Sequence, residues 1–262
     1  MSTATVAPGQ PAPQQQGRRL VAAEFLKLRR RRALVMATLL LTVAPMIVSY
    51  IVLAVLHASN PGKYGPAGGV DNLGGSLRLL SQIGVVAAVL IGVTAGGGDL
   101  TAGVFRELVV TGRPRFALFA ARIPGGLALL LPAVAVGFSV AATASVALAG
   151  PGPAPGGGLL LEYVAWLALV MSLGFVLALG VSSLLDSRAT SIGILLTWQL
   201  AVAPLLLQTG KLDPILLGDA LKRFEPGAGS PSLSLTTAIV VIGGWTIAPL
   251  AAGAWRTHTR DA

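Results

Sequence analysis

Residues 29–57 read RRRRALVMATLLLTVAPMIVSYIVLAVLH. Four arginines run directly into a long apolar segment, Ala33–His57, without one carboxylate. A helix needs roughly 20 mostly apolar residues to cross about 30 Å of hydrocarbon, and this segment exceeds that length. It is also too long for the apolar core of a secretory leader.

Further segments of the same kind follow: Leu79–Gly96, Phe116–Ala149, Leu159–Leu185, Ala189–Gln208 and Leu233–Trp255. Lipid offers no partner to backbone N–H and C=O groups, so each span must satisfy its own as a helix. The alternative, a closed barrel, needs short alternating strands. These runs are continuous and do not alternate. The fold class expected is therefore an all-α polytopic membrane protein with six transmembrane helices.

Composition agrees. Of 262 residues, 54% are hydrophobic and only 11% charged, against roughly 25% charged in soluble domains. Mean hydropathy is +0.78. The net charge of +9 would suggest nucleic acid in a soluble protein, but here the cations flank apolar runs and read as topology signals. Six spans place both ends of the chain on one side. That side holds the arginines from Arg18 to Arg32, Lys27, Arg106, Arg113, Arg115, Arg122, Arg188, Arg256 and Arg260. The other holds Lys63, Arg78, Lys211, Lys222 and Arg223. The excess marks the first side as cytoplasmic.

Several chemistries are excluded. There is no cysteine, so thiolate catalysis, disulfides and cysteine metal sites are ruled out. The two histidines, His57 and His258, lie at segment ends far apart and are read as interfacial residues. No Gly-x-x-x-x-Gly-Lys-Ser/Thr loop exists to cradle a nucleotide. Arg78, Asp99, Glu162 and Asp186 fall near span ends, leaving no charge at mid-membrane of the kind ion-coupled carriers use. The chain is not expected to be an enzyme, and no catalytic, cofactor or metal residue is assigned.

Residues 1–17, rich in Pro, Gln and Ala, read as a disordered cytoplasmic tail; 18–262 form a single six-helix domain. Arg18–Arg32 can form an amphipathic helix, with Leu20, Val21, Phe25 and Leu28 on one face and cations elsewhere, lying in the interface near anionic headgroups. Glu24 there can pair with Lys27 or face a partner. Gly97–Arg122, GGDLTAGVFRELVVTGRPRFALFAAR, is the charged loop between the second and third spans. Gly96–Gly98 are expected to end a helix. Ala102–Val110 can form a short cytoplasmic helix, closed by Thr111-Gly112-Arg113-Pro114 because proline disfavours helix before it. On the other side Ala58–Leu77 reads as irregular, Gly150–Gly158 as a tight turn, and Leu212–Phe224 as a short surface helix or a solvated loop. Gly92 and Gly96 are spaced for close helix packing, and Gln199 in the fifth span should seek a partner across helices.

These two charged stretches carry a family resemblance. The chain resembles a permease of the ABC-2 type, the membrane half of an ATP-binding-cassette exporter. The family's acid, Gly, apolar stretch, Pro, Arg and Lys correspond here to Asp99, Gly103, Val109–Val110, Gly112 in the place of Pro, Arg115 and Arg122. Glu24, Lys27, Leu28 and Arg29 match its Glu-x-x-Lys-Leu-Arg. Val104 stands where a Thr is common. The resemblance implies an interfacial helix carrying Glu24, Lys27 and Arg29. It also implies a coupling helix that docks an ATPase through Asp99, Gly103, Arg106, Glu107, Arg113 and Arg115. The implied partners are a separate ABC ATPase holding ATP and Mg, a second permease copy and the lipid membrane, with no nucleic acid. The implied location is the bacterial plasma membrane. A non-transporting scaffold or sensor and a secondary carrier remain as other readings; the substrate and the residues lining a pathway are not legible.

Overall fold

The computed structural model describes residues 13–101, 115–185, 187–209, 212–227, 229 and 233–259. No strand occurs among them. The helices are α1 (Pro13–Arg29), α2 (Arg32–Ser59), α3 (Val70–Thr101), α4 (Arg115–Ala147) and α5 (Gly157–Leu184). Then comes α6, which is Arg188–Thr197 continued through a π-helical turn at Trp198–Val202 into Ala203–Thr209. A 3₁₀ turn at Asp213–Ile215 leads to α7 (Leu217–Lys222), and α8 is Leu235–Thr259. Six of them, α2 to α6 and α8, are long and apolar enough to span a bilayer, as expected of a multi-pass membrane protein.

α3 is the central helix. It packs against α1, α2, α4, α5 and α6, and 67% of its apolar window is buried against 17% for α2 and 11% for α6 and α8. Without a hydrophobic force between helices in lipid, close approach depends on small side chains and shape. Gly92 and Gly96 provide it. A Cβ on Gly92 would lie 2.6 Å from the Phe175 carbonyl oxygen, and one on Gly96 2.7 Å from that of Leu179. The same device joins α5 to α8, where a Cβ on Gly253 would sit 2.7 Å from the Gly180 carbonyl oxygen. These contacts climb both partners in the same direction, so α3, α5 and α8 run parallel. One end of the bundle gathers the end of α3, the start of α4, the end of α5, the start of α6 and the end of α8. α1 packs there against α4, and this end is termed the α1 face.

Three expectations change. The glycines at 96–98 do not stop the helix: α3 continues to Thr101, because the neighbouring α5 uses Gly96 for packing. α1 begins at Pro13, reaching back into the stretch read as tail. The irregular part of Ala58–Leu77 shrinks to residues 60–69, between the end of α2 and the start of α3.

That 60–69 loop is fastened. Asn72 donates to the carbonyls of Pro66 (2.8 Å) and Gly68 (3.2 Å). Ser145 donates to the Gly69 carbonyl at 2.6 Å, and His57 Nδ1 bonds to the Tyr64 carbonyl at 2.9 Å. Gly69 has φ +94°, a conformation that a side chain disfavours. The 212–227 segment is likewise held against the bundle. Tyr163 donates to the Pro226 carbonyl (3.0 Å), Trp166 to Leu221 (3.3 Å) and Trp245 to Ile215 (2.8 Å). Arg78 pairs with Glu225, whose side chain is 7% exposed. The helical reading of Leu212–Phe224 is thus the one observed, in two short pieces.

The π turn has a local cause. Pro204 has no N–H and its ring would crowd the carbonyl four residues earlier. Ala203 instead bonds back to the Trp198 carbonyl, five residues away, which widens the helix just ahead of the proline. Trp198 stacks on Trp245 with ring centroids 5.2 Å apart. Gln199 is half-buried in the same turn, and among the described residues no hydrogen bond joins it to another helix.

Candidate coupling face

The α1 face carries those docking candidates whose backbone is described, and α1 shows how it is built. Leu20 is buried with Leu118 and Ala121 of α4 in a small separate core, flanked by Val21 and Ala117. Leu28 is fully buried in the main core. The i, i+4, i+8 spacing of Leu20, Glu24 and Leu28 sets one face of α1 against α4. At the middle of that face Gly125 removes a side chain: a Cβ there would meet the Glu24 Cβ at 2.8 Å. Ala117, Leu118 and Ala121, in the first turns of α4, therefore pack against α1.

Glu24 is turned along its own helix. Its carboxylate pairs with Lys27 at 2.6 Å, with the two side chains 15% and 28% exposed. The pairing of Glu24 with Lys27 expected from helical spacing is observed. Arg29 is exposed and ends α1 with Lys27, where cations favour the negative end of the helix dipole.

The remaining candidates frame a segment of which less is described. Asp99 lies in the last turn of α3 and Arg115 is the first residue of α4; of their side chains only the backbone position is described. Gly103, Arg106, Glu107 and Arg113, with the helix expected over Ala102–Val110, lie outside the described residues. The structure thus brings the two ends of the 102–114 segment to the α1 face, beside α1.

One residue at this face has a role that composition did not signal. Arg122 is 2% exposed, although it stands two turns inside α4. Its Nη1 donates to the Gly96 carbonyl of α3 at 3.0 Å, and its guanidinium lies 6.0 Å from the Phe119 ring centroid. A buried arginine is tolerated when its donors find fixed acceptors. Here the acceptor is a carbonyl near the negative end of α3. Beside it, Ser182 of α5 donates to the Val93 carbonyl at 3.0 Å. At this face the ends of α3, α4 and α5 are therefore pinned together. The available signal was a lone arginine between Ala121 and Ile123, counted among the cations of one side and matched to the family's Lys.

No group of three His, Cys, Asp or Glu side chains able to hold a metal occurs among the described residues. No family model matches this chain, and no curated protein matches it.

Proposed function

We propose that this chain is the membrane permease subunit of an ABC-2 type exporter. Two copies, or this chain and a similar one, enclose a path for a hydrophobic or amphipathic substrate. ATP and Mg bind on a separate ATPase subunit, docked at residues 99–115. Both termini lie in the cytoplasm of a bacterial cell, and the chain itself has no enzymatic activity.

The observation that carries this reading is the pinned α1 face. Arg122 and Ser182 fix the inner ends of α4 and α5 to α3, at the helix ends that bracket the 102–114 segment. A push on that segment then reaches α3, which touches most of the bundle. ATP can shift such a bundle only through different affinity for its two states, so the segment must be held firmly enough to transmit the difference. The missing phosphate loop agrees with a motor on another chain.

The test is purification from native membranes in mild detergent with identification of what accompanies the chain. A stoichiometric protein bearing a phosphate loop is expected. Glu107→Arg should then leave the chain folded and uncouple hydrolysis from transport. Transport at the normal rate by that variant removes the docking assignment. Absence of any ATPase under conditions that preserve such complexes favours a scaffold or sensor.

A further inference from the structure

The end of the bundle opposite the α1 face holds a polar hollow of about 390 Å³. Lys63, Tyr64 and Asp71 line it from the 60–69 loop and the start of α3, and Ala149 and Pro153 from the turn before α5. Its walls are fixed, because the two loops are stitched backbone to backbone. The Gly68 N–H donates to the Leu148 carbonyl at 2.9 Å, and the Val70 N–H to that of Pro153 at 3.3 Å. Lys63 Nζ is held 5.2 Å from the Tyr64 ring centroid. Among the described residues, neither Lys63 nor Asp71 enters an ion pair. A cation and a carboxylate thus line one hollow without neutralising each other.

Further along the same helices lies an apolar cleft of about 510 Å³ between α2 and α3. Leu41, Pro45, Ser49 and Leu53 of α2 line it with Leu79 and Ile83 of α3. Val48 and Val52 of the same wall are exposed, so the cleft opens sideways toward hydrocarbon. The two spaces adjoin, since Leu53 lines both. On α3, Asn72 of the hollow and Leu79 of the cleft are two turns apart, about 10 Å. Between them Ser76 meets Ser49 of α2 at 3.3 Å, where polar lining gives way to apolar. Each volume lies within the roughly 300–1,000 Å³ of small-molecule sites.

Charge says which ligand fits. An anionic headgroup would be repelled by Asp71, and a purely cationic one by Lys63; a zwitterion satisfies both. A quaternary ammonium has no N–H to give a carboxylate and is held by open aromatic faces, whereas the Tyr64 face is already taken by Lys63. A primary ammonium donates hydrogen bonds freely. A soluble zwitterion would fill the hollow and leave the cleft empty.

We propose that hollow and cleft together hold one zwitterionic phospholipid of the phosphatidylethanolamine type. Its phosphate lies on Lys63, its ammonium on Asp71 and one acyl chain between α2 and α3. This inference rests on the membrane fold alone and stands whether or not the chain is a transporter subunit.

The experiment is native mass spectrometry of the full chain in mild detergent, titrated with phosphatidylethanolamine, phosphatidylcholine or phosphatidylglycerol of identical acyl chains. Phosphatidylethanolamine should bind in preference. Its affinity should fall about 5-fold in Asp71→Asn, with the preference over phosphatidylcholine lost, and about 5-fold in Lys63→Ala for both zwitterionic lipids. Glu162→Gln removes equal charge near the start of α5, outside both spaces, and should change nothing. Val52→Trp narrows the cleft and should cost about 10-fold, while Val240→Trp on the exposed face of α8 should not. Lys63, Asp71 and Val52 are exposed, so their variants should fold; should Val52→Trp fail to, the two charge variants still decide. Equal affinity for the three lipids, or an unchanged preference in Asp71→Asn, overturns the headgroup site. An equal loss in Glu162→Gln overturns it in favour of diffuse charge. Equal losses in the two tryptophan variants overturn the cleft. Displacement of the lipid by glycerophosphoethanolamine at equal concentration overturns the lipid and reassigns the hollow to a soluble zwitterion.

Discussion

Gly92→Ala adds one methyl group where α3 meets α5. Its Cβ would lie 2.6 Å from the Phe175 carbonyl oxygen, 2.8 Å from the Ala178 Cβ and 3.1 Å from the Leu179 nitrogen. Two of these are backbone atoms of a helix and cannot rotate aside. Contacts between carbons are favourable only from about 3.5 Å, so α5 must retreat by roughly 0.7 Å, and a gap of that size forfeits a quarter to a half of each neighbouring contact. Overpacking of this kind costs about 1–3 kcal/mol. Alanine in place of glycine returns about 1 kcal/mol of helix propensity. Gly75 isolates that second term, since a Cβ there meets nothing within 4 Å. Gly75→Ala should therefore match or exceed the parent in stability, and Gly92→Ala should fall below Gly75→Ala by about 1–3 kcal/mol. For a chain of this size that separates their melting midpoints by several degrees, at about 2–4 °C per kcal/mol. Thermal unfolding of the three proteins in one detergent, followed by loss of the monodisperse chromatographic peak, measures it. A Gly92→Ala protein that melts with or above Gly75→Ala refutes the account of α3–α5 packing.

Truncation of Arg122 to alanine should leave a void and cost about 2–4 kcal/mol. Arg122→Met fills most of that space while removing the bond to the Gly96 carbonyl, so its cost should stay below that of Arg122→Ala. Equal melting losses in the two variants would show that the charge, and not the shape, holds α4 to α3. Arg78→Ala leaves the covered Glu225 carboxylate without its cation. Because Arg78 is itself 56% exposed, the loss should be only about 1 kcal/mol, read as faster proteolysis within 212–227; unchanged digestion counts against that ion pair as a fastener. The chain has no native cysteine, so single cysteines report topology directly. In intact cells an impermeant maleimide should label Ala154→Cys in the turn before α5 and leave Ala23→Cys on α1 unlabelled. Labelling of both from one side breaks the six-span reading.

The six membrane-length helices, their order and the charge asymmetry between the two faces were legible in the sequence. A span is decided by a local sum of apolar transfer energies, and no contact from elsewhere can make a run such as Ala33–His57 prefer water. Glu24 with Lys27 was legible for the same reason, because helical spacing sets their distance. Other features depended on which helices meet. The sequence marks Gly92 and Gly96 as able to pack closely, but many glycines are equally able, and only the approach of α5 shows which of them are needed. It also made Gly96–Gly98 look like a stop. Glycine weakens a helix in isolation, whereas here the neighbouring backbone occupies the space that it frees. Arg122 read as one more topology cation because its acceptor, the Gly96 carbonyl, lies on another helix. Local chemistry determined what enters the membrane; tertiary packing decided which helices meet and so which charge, that of Arg122, is buried between them.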